Sequence, residues 1–237
     1  LKRHLRRRLA PVGRPWLAGL LAVTAACYPS GVDQTSDLNT VTTVYDVGFS
    51  TSGGFQALTT YSMPGATLAE PENCVIEDLA DGGPFPFPTS SPLPSTICTT
   101  IENQLADLGY TLVDAAMTPG QAPPDFVVTV AGLQQSYTAY VSYPWYGYWG
   151  SYYPDYPWGG WGIYFPWSGF SYSYQVGTLV IVMVKPTVDA GLPEGGEMAA
   201  IWAGALNGVI TSANAEPQLI GSGIVQAFNQ SPYLGKQ

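Results

Sequence analysis

Few residues in this chain are equipped for chemistry. Past Cys27 there is no Arg and no His, and only Lys185 and Lys236 stand against all seventeen acids, a balance of −15. Imidazole-based catalysis is excluded from that stretch. No G-x-S-x-G, phosphate loop or G-x-G-x-x-G between a strand and a helix is present, which removes the common nucleophile and nucleotide signatures. Nucleic-acid binding needs a basic footprint to release phosphate counterions, and none exists here. What remains is Cys27, Cys74, Cys98 and a set of carboxylates. Two cysteines without histidine fall short of a zinc set. Glu70, Glu72, Glu77, Asp78 and Asp81 could offer oxygens to calcium, but the D-x-D-x-D-G spacing is missing, and they read as an acidic, solvated loop. Asp155 lies among Trp and Tyr, a setting that suits a glycosidase carboxylate, yet such chemistry needs a pair and no partner can be named. An isolated loop Asp reads as a turn residue. The residues therefore imply no catalytic site, no metal site and no cofactor.

Cys27 takes its meaning from what precedes it. Residues 1–15 hold Lys2, Arg3, His4, Arg6, Arg7, Arg8 and Arg14, and the apolar run Trp16–Ala26 follows. Eleven residues span about 16 Å as a helix, short of the ~30 Å hydrocarbon core, so the run is a signal peptide and not a span. Ala25-Ala26-Cys27 resembles the bacterial lipobox, with Thr24 where Leu is usual. That resemblance implies cleavage before Cys27 and acylation of its sulfur, each buried methylene adding ~0.8 kcal/mol of membrane affinity. Tyr28, not Asp, follows, which by the sorting rule favours the outer membrane. With Cys27 lipidated, Cys74 and Cys98 are an even pair in an exported protein, and one disulfide is expected.

The densest feature is aromatic. From Tyr137 to Tyr174, eighteen of thirty-eight residues are Tyr, Trp or Phe, and Asp155 is the only charge. Trp145, Tyr146, Trp149, Tyr153, Trp158, Trp161 and Trp167 form the candidate binding surface. Three readings stay open: a hairpin excursion with rings at the lipid headgroup level, a platform for sugar rings or a protein partner, or a low-complexity loop packed on its own domain.

The surrounding periodicities predict the frame. Strands are expected at Val41–Val47, Ala57–Met63, Tyr110–Val113, Asp125 to about Tyr137, Val176–Val184 and Met198–Ser212. In the last of these, Trp202 should alternate with Ile201 and Ala203. A helix over 95–108, capped by Ser95 or Thr96, should present Ile97, Ile101, Leu105 and Leu108 and stop at Gly109. A second helix at about 215–229 should carry Leu219, Ile220, Ile224 and Phe228 on one stripe. The pattern is α+β: an antiparallel sheet packed on two helices, with a long aromatic-rich insertion between strands.

Several segments resemble, in order and wording, the bacterial lipoproteins grouped as the domain of unknown function 4136. These are Phe55-Gln-Ala-Leu-Thr-Thr-Tyr61, Leu105-Ala-Asp-Leu-Gly109-Tyr110, Pro124-Asp125-Phe126-Val127-Val128, Gly177-Thr178-Leu179-Val180-Ile181, Ile201-Trp202-Ala203-Gly204, and Phe228 followed by Pro232. Val182 and Lys185 stand where the family often has acids, Ala203 stands where Arg is usual, and the Cys74–Cys98 segment looks inserted. The expected organisation is a signal peptide at 1–26, a lipidated tether at 27–40, one domain at 41–232 with insertions at 70–95 and 137–174, and a tail at 233–237. The resemblance brings fold and location but no reaction. The chain thus reads as a non-enzymatic lipoprotein held at the cell envelope through Cys27, outer membrane favoured, whose aromatic loop engages an envelope protein or glycan. A structural envelope role without a ligand is the alternative, and a carboxylate glycosidase a weaker one.

Overall fold

The β-branched run Val41–Tyr45 forms strand β1 and stops where Asp46 turns its carboxylate onto the Phe49 N–H (3.1 Å), capping a single helical turn, α1 (Val47–Thr51). This is the usual N-cap chemistry of Asp, and it ends the strand two residues before the predicted boundary. A second turn, α2 (Gly54–Ala57), replaces the start of the strand expected at Ala57, leaving β2 as Thr60–Ser62. A 3₁₀ turn (Pro71–Asn73), β3 (Ile76–Asp78), α3 (Leu93–Asp107), β4 (Thr111–Leu112) and β5 (Phe126–Gly132) follow. Then come β6 (Tyr137–Tyr140), β7 (Gly162–Tyr164), β8 (Ser171–Tyr174), β9 (Leu179–Lys185), β10 (Glu197–Leu206), α4 (Pro217–Asn229) and a closing 3₁₀ turn, Pro232–Leu234. The computed structural model describes residues 41–78, 83–114, 123–133, 137–140, 162–164, 171–174, 177–185, 197–210 and 215–236.

Eight strands form one sheet in the order β1-β10-β9-β5-β2-β4, with β3 also on β5 and β7 also on β10. The expected antiparallel sheet is corrected to a mixed one. β1, β10, β9 and β5 run antiparallel in turn, but β2 lies parallel to β5 and β4, β3 parallel to β5, and β7 parallel to β10. The cause lies in the connections: between β2 and β4 the chain carries α3, the kind of crossover that parallel neighbours require.

Helix α3 presents Leu93, Ile97, Ile101 and Leu105 at four-residue spacing, all buried. It begins at Leu93, two residues before the predicted start, with Pro92 at the N-cap. Ser95 and Thr96 do not cap it; their hydroxyls donate back to the Pro92 carbonyl (3.0 and 2.8 Å). Pro94 is tolerated because first-turn N–H groups need no helical partner. The stop at Gly109 is as expected: at φ +87° it lets its own N–H reach Ala106 O (2.9 Å) and the Tyr110 N–H reach Leu105 O (3.0 Å), closing the helix end. On α4, Ile220, Ile224 and Phe228 are buried, whereas Leu219 is exposed and lies off the stripe. Gly223 does positive work there, since a Cβ at that position would meet Leu206 at 2.7 Å.

The two helices cover one sheet face, where Phe126, Val128, Val130, Leu179, Ile181 and Met183 form the core. Residues of the opposite face, among them Val127, Thr129, Val180, Val182 and Val184, are buried as well. Burial on both sides explains the unbroken apolar run of β9. The alternation expected around Trp202 fails at a bulge between Ala200 and Trp202, which leaves both Ile201 and Trp202 in the core. Tyr233 and Leu234, read as the start of a tail, pack on that core.

Candidate functional site

The disulfide is present. Cys74 follows the 3₁₀ turn and Cys98 lies one turn inside α3, with Cα atoms 5.7 Å apart. Between them the chain is not the solvated acidic loop expected from composition. Ile76–Asp78 is strand β3, paired with Val130–Gly132 of β5, and both Glu77 and Asp78 are buried. Asp78 N–H donates to Gly83 O (2.6 Å) and Phe85 N–H to Ile76 O (2.8 Å), folding the segment back on itself. Burial pushes the Glu77 carboxyl up to about 7. Among the described residues no group of three or more potential metal ligands converges, and the Glu70 carboxylate accepts from the Asn73 amide (2.7 Å). Asp81 lies outside the described residues.

Beside the bridge is a cleft of about 340 Å³ lined by Val75, Ile76, Pro84, Phe85, Phe87 and Pro94. Phe85 and Phe87 pair at 4.7 Å, and Phe85 sits over Gly132, where a Cβ would come within 2.4 Å of its ring. This close approach is why β5 ends in glycine. A wider groove, about 780 Å³, runs between α3 and α4 past Thr96, Thr100, Gly221, Ser222 and Gln226. The residues lining either depression carry no charge, so each offers surface and hydrogen bonds, not acid–base chemistry.

The aromatic excursion is closed at its base. β6 and β8 pair antiparallel with Tyr137 opposite Tyr174 and Tyr140 opposite Ser171, so the register coincides with the predicted ends of the insertion. Between these arms β7 is hydrogen-bonded to Glu197–Ala199 of β10. Trp145, Tyr146, Trp149, Tyr153, Trp158, Trp161 and Trp167, like Cys27, Asp155 and the 1–40 segment, lie outside the described residues.

The residues that carry the family resemblance converge, and what they build is a structural knot. Asp125 Oδ2 accepts from Thr59 N–H and hydroxyl (both 2.7 Å) and from Thr60 N–H and hydroxyl (2.9 and 3.2 Å). Burial raises that carboxyl, but the four donors outweigh it and hold Asp125 below its ordinary range. Tyr110, pushed up to about 12 by burial, donates to Leu234 O at 2.6 Å and packs edge-on against Phe126 at 5.1 Å. Trp202 Nε1–H donates to Ser231 Oγ (2.9 Å), its ring lies 5.2 Å from Phe228, and Gly204 leaves room for that ring. Thr178 and Asn207 join at 2.9 Å across the β9 and β10 ends. The departures from the family pattern are neighbours too: Val182 and Ala203 face each other in register across β9 and β10.

These contacts tie Asp125, Tyr110 and Trp202 into an α+β domain. The chain belongs to the family described as a domain of unknown function, DUF4136, which matches residues 44–233. Its fold resembles that of a DUF4136 family protein from Bacteroides thetaiotaomicron VPI-5482. The TM-score is 0.53 at 22% identity, covering 84% of this chain and 98% of the other. The PelC dodecamer from Paraburkholderia phytofirmans aligns with a TM-score of 0.37 at 10% identity, covering 84% of this chain and 99% of that one. No curated protein matches.

Proposed function

We propose that this protein is a non-enzymatic lipoprotein of the cell envelope, cleaved before Cys27, acylated there, and held at the outer membrane. Its DUF4136 domain binds an envelope protein or a glycan through the aromatic excursion. The observation that carries this reading is the paired base of the excursion. β6 and β8 close in register at Tyr137 and Tyr174, so the two ends of the Tyr- and Trp-rich stretch lie side by side. Tyr and Trp give large contact areas at low entropic cost, and Trp stacks on sugar rings. The Cys74–Cys98 bridge supports export, because disulfides persist in oxidising compartments.

The test is a titration of the purified protein with cell-wall and surface glycans and with envelope extract, followed by Trp fluorescence and affinity capture. A quench or spectral shift that is lost in a Trp145→Ala, Trp149→Ala, Trp158→Ala variant supports the reading. Identical behaviour of parent and variant against every preparation would sink it in favour of a structural role without a ligand. A truncation of the excursion for the same purpose must spare β7, which belongs to the sheet.

A further inference from the structure

We propose that the hairpin arm formed by Ile76–Asp78 and Gly83–Phe87 is a strap that opens from β5 on its own, ahead of the rest of the domain, when Glu77 loses its proton. The arm carries its own hydrogen bonds: Asp78 N–H donates to Gly83 O, Phe85 N–H donates to Ile76 O, and Glu77 bridges to Pro84. Its ties to the sheet are short. Three residues of β3 lie against Val130–Gly132, and the Phe85 ring sits over Gly132. Its foot is fixed on both sides, by Cys74 bridged to Cys98 and by the buried Leu93 that opens α3. The arm can therefore lift as a unit while α3 and the bridge stay in place, a sub-global opening of the kind that sparsely tied segments undergo.

Glu77 is placed to trigger that opening. Ile76 and its register partner Val130 both belong to the core beneath the helices, so strand alternation turns Glu77 and Ala131 to the other face, beside Val127 and Thr129 of β5. Among the described residues no side chain there answers a charge. Neither β5 nor Gly83–Phe87 contains an ionisable residue. β9 ends in Lys185, beyond the Val184 that pairs with Val127, four residues along β5 from Ala131. That ammonium stands over the Phe49 ring at 5.3 Å, and Lys236 stands over Tyr110 at 5.6 Å. The acids nearest in sequence, Glu70, Glu72, Asp78 and Asp81, add only like charge, and α3 brings only Glu102 and Asp107, on the helix layer. Burial alone displaces the Glu77 carboxyl, from 4.5 to about 7. Ionised in the closed arm, it is an uncompensated charge that lifting the strand returns to water.

The strap is thus shut in acid. Below about pH 4.5 the open and closed arms are both protonated. From there to about pH 7 the open arm ionises first, and its share grows about 300-fold before levelling off. Opening uncovers Ile76, the Phe85–Phe87 pair and the β5 edge at Val130–Gly132.

Native-state amide exchange of the full chain, followed from pH 4.5 to about 8.5 and corrected for the intrinsic rate, tests this. The bonded amides of Asp78 and Phe85 report on the arm, and those of Val180–Val184 in β9 serve as the reference. The arm amides should exchange faster than β9 at every pH, with little dependence on low urea. Their protection should fall about 300-fold across the range, and that fall should vanish in Glu77→Gln. Arm protection that matches β9 in size and urea dependence overturns the strap, since Glu77 then acts only on the whole fold. Arm protection that ignores pH in the parent overturns it equally, and the parent series decides alone if the variant misfolds.

Discussion

Glu77 sits in a strand, inside the protein, with its carboxyl raised by burial from an ordinary 4.5 to about 7. The folded state therefore holds a proton that the unfolded chain gives up more readily. Below about pH 4.5 both states are protonated and Glu77 costs nothing through ionisation. Between there and about pH 7 the unfolded chain ionises first, and stability falls by about 1.4 kcal/mol for each pH step. Above pH 7 the full penalty, about 3 kcal/mol, is in place. Glu77→Gln keeps the shape and removes the ionisation. The variant should match the parent near pH 4 and exceed it by about 3 kcal/mol at pH 8, or by roughly 6–12 °C in Tm for a domain of this size. Urea unfolding of parent and variant at pH 4, 5.5, 7 and 8.5 gives the comparison; other carboxylates titrate alike in both and cancel. A stability difference that stays flat with pH would refute the account of Glu77 as a buried, proton-holding group.

Other perturbations follow from the same geometry. Replacing Cys74 and Cys98 together by Ser should lower stability by about 3 kcal/mol in the chain-entropy view of a loop of this length, measured by denaturant unfolding against the oxidised parent. Gly204→Ala places a Cβ 2.8 Å from the Trp202 ring and should destabilise by about 1–3 kcal/mol, with a change in the near-ultraviolet signal of that Trp. Asp125→Ala removes the acceptor shared by Thr59 and Thr60 and should cost on the order of 1 kcal/mol at neutral pH. Because that carboxyl is held below its ordinary range, its contribution is present above the normal carboxylate range and disappears as pH falls, the reverse of Glu77.

The sequence disclosed the long elements and missed the short ones for one physical reason. Helices α3 and α4 and strands β5, β9 and β10 carry enough periodic residues to show a face, and their existence was legible. A single turn such as α1 or a three-residue strand such as β3 has no period to read. Glu77 and Asp78 looked solvated because charge outweighs two flanking apolar residues, Val75 and Ile76, in any local reading; only pairing with β5 buries them. Strand direction is not carried by any strand's own residues: the α3 crossover, visible in sequence as a helix between two strands, makes β2 and β4 parallel only because they are sheet neighbours. The bulge at Ala200 and Trp202 left no local signature. For the candidate site, the ends of the aromatic insertion were legible from the composition shift at Tyr137 and Tyr174. The pairing of β7 with β10 inside that insertion was not, since Gly-Ile-Tyr among so many rings has no distinguishing pattern.

The central claim, a lipid-anchored envelope protein, is tested most directly by mass spectrometry of the N-terminal peptide from native membranes. The account predicts a peptide beginning at Cys27 and carrying acyl chains on its sulfur. A peptide running unbroken from Ala26 into an unmodified Cys27, recovered as the mature form, would contradict it.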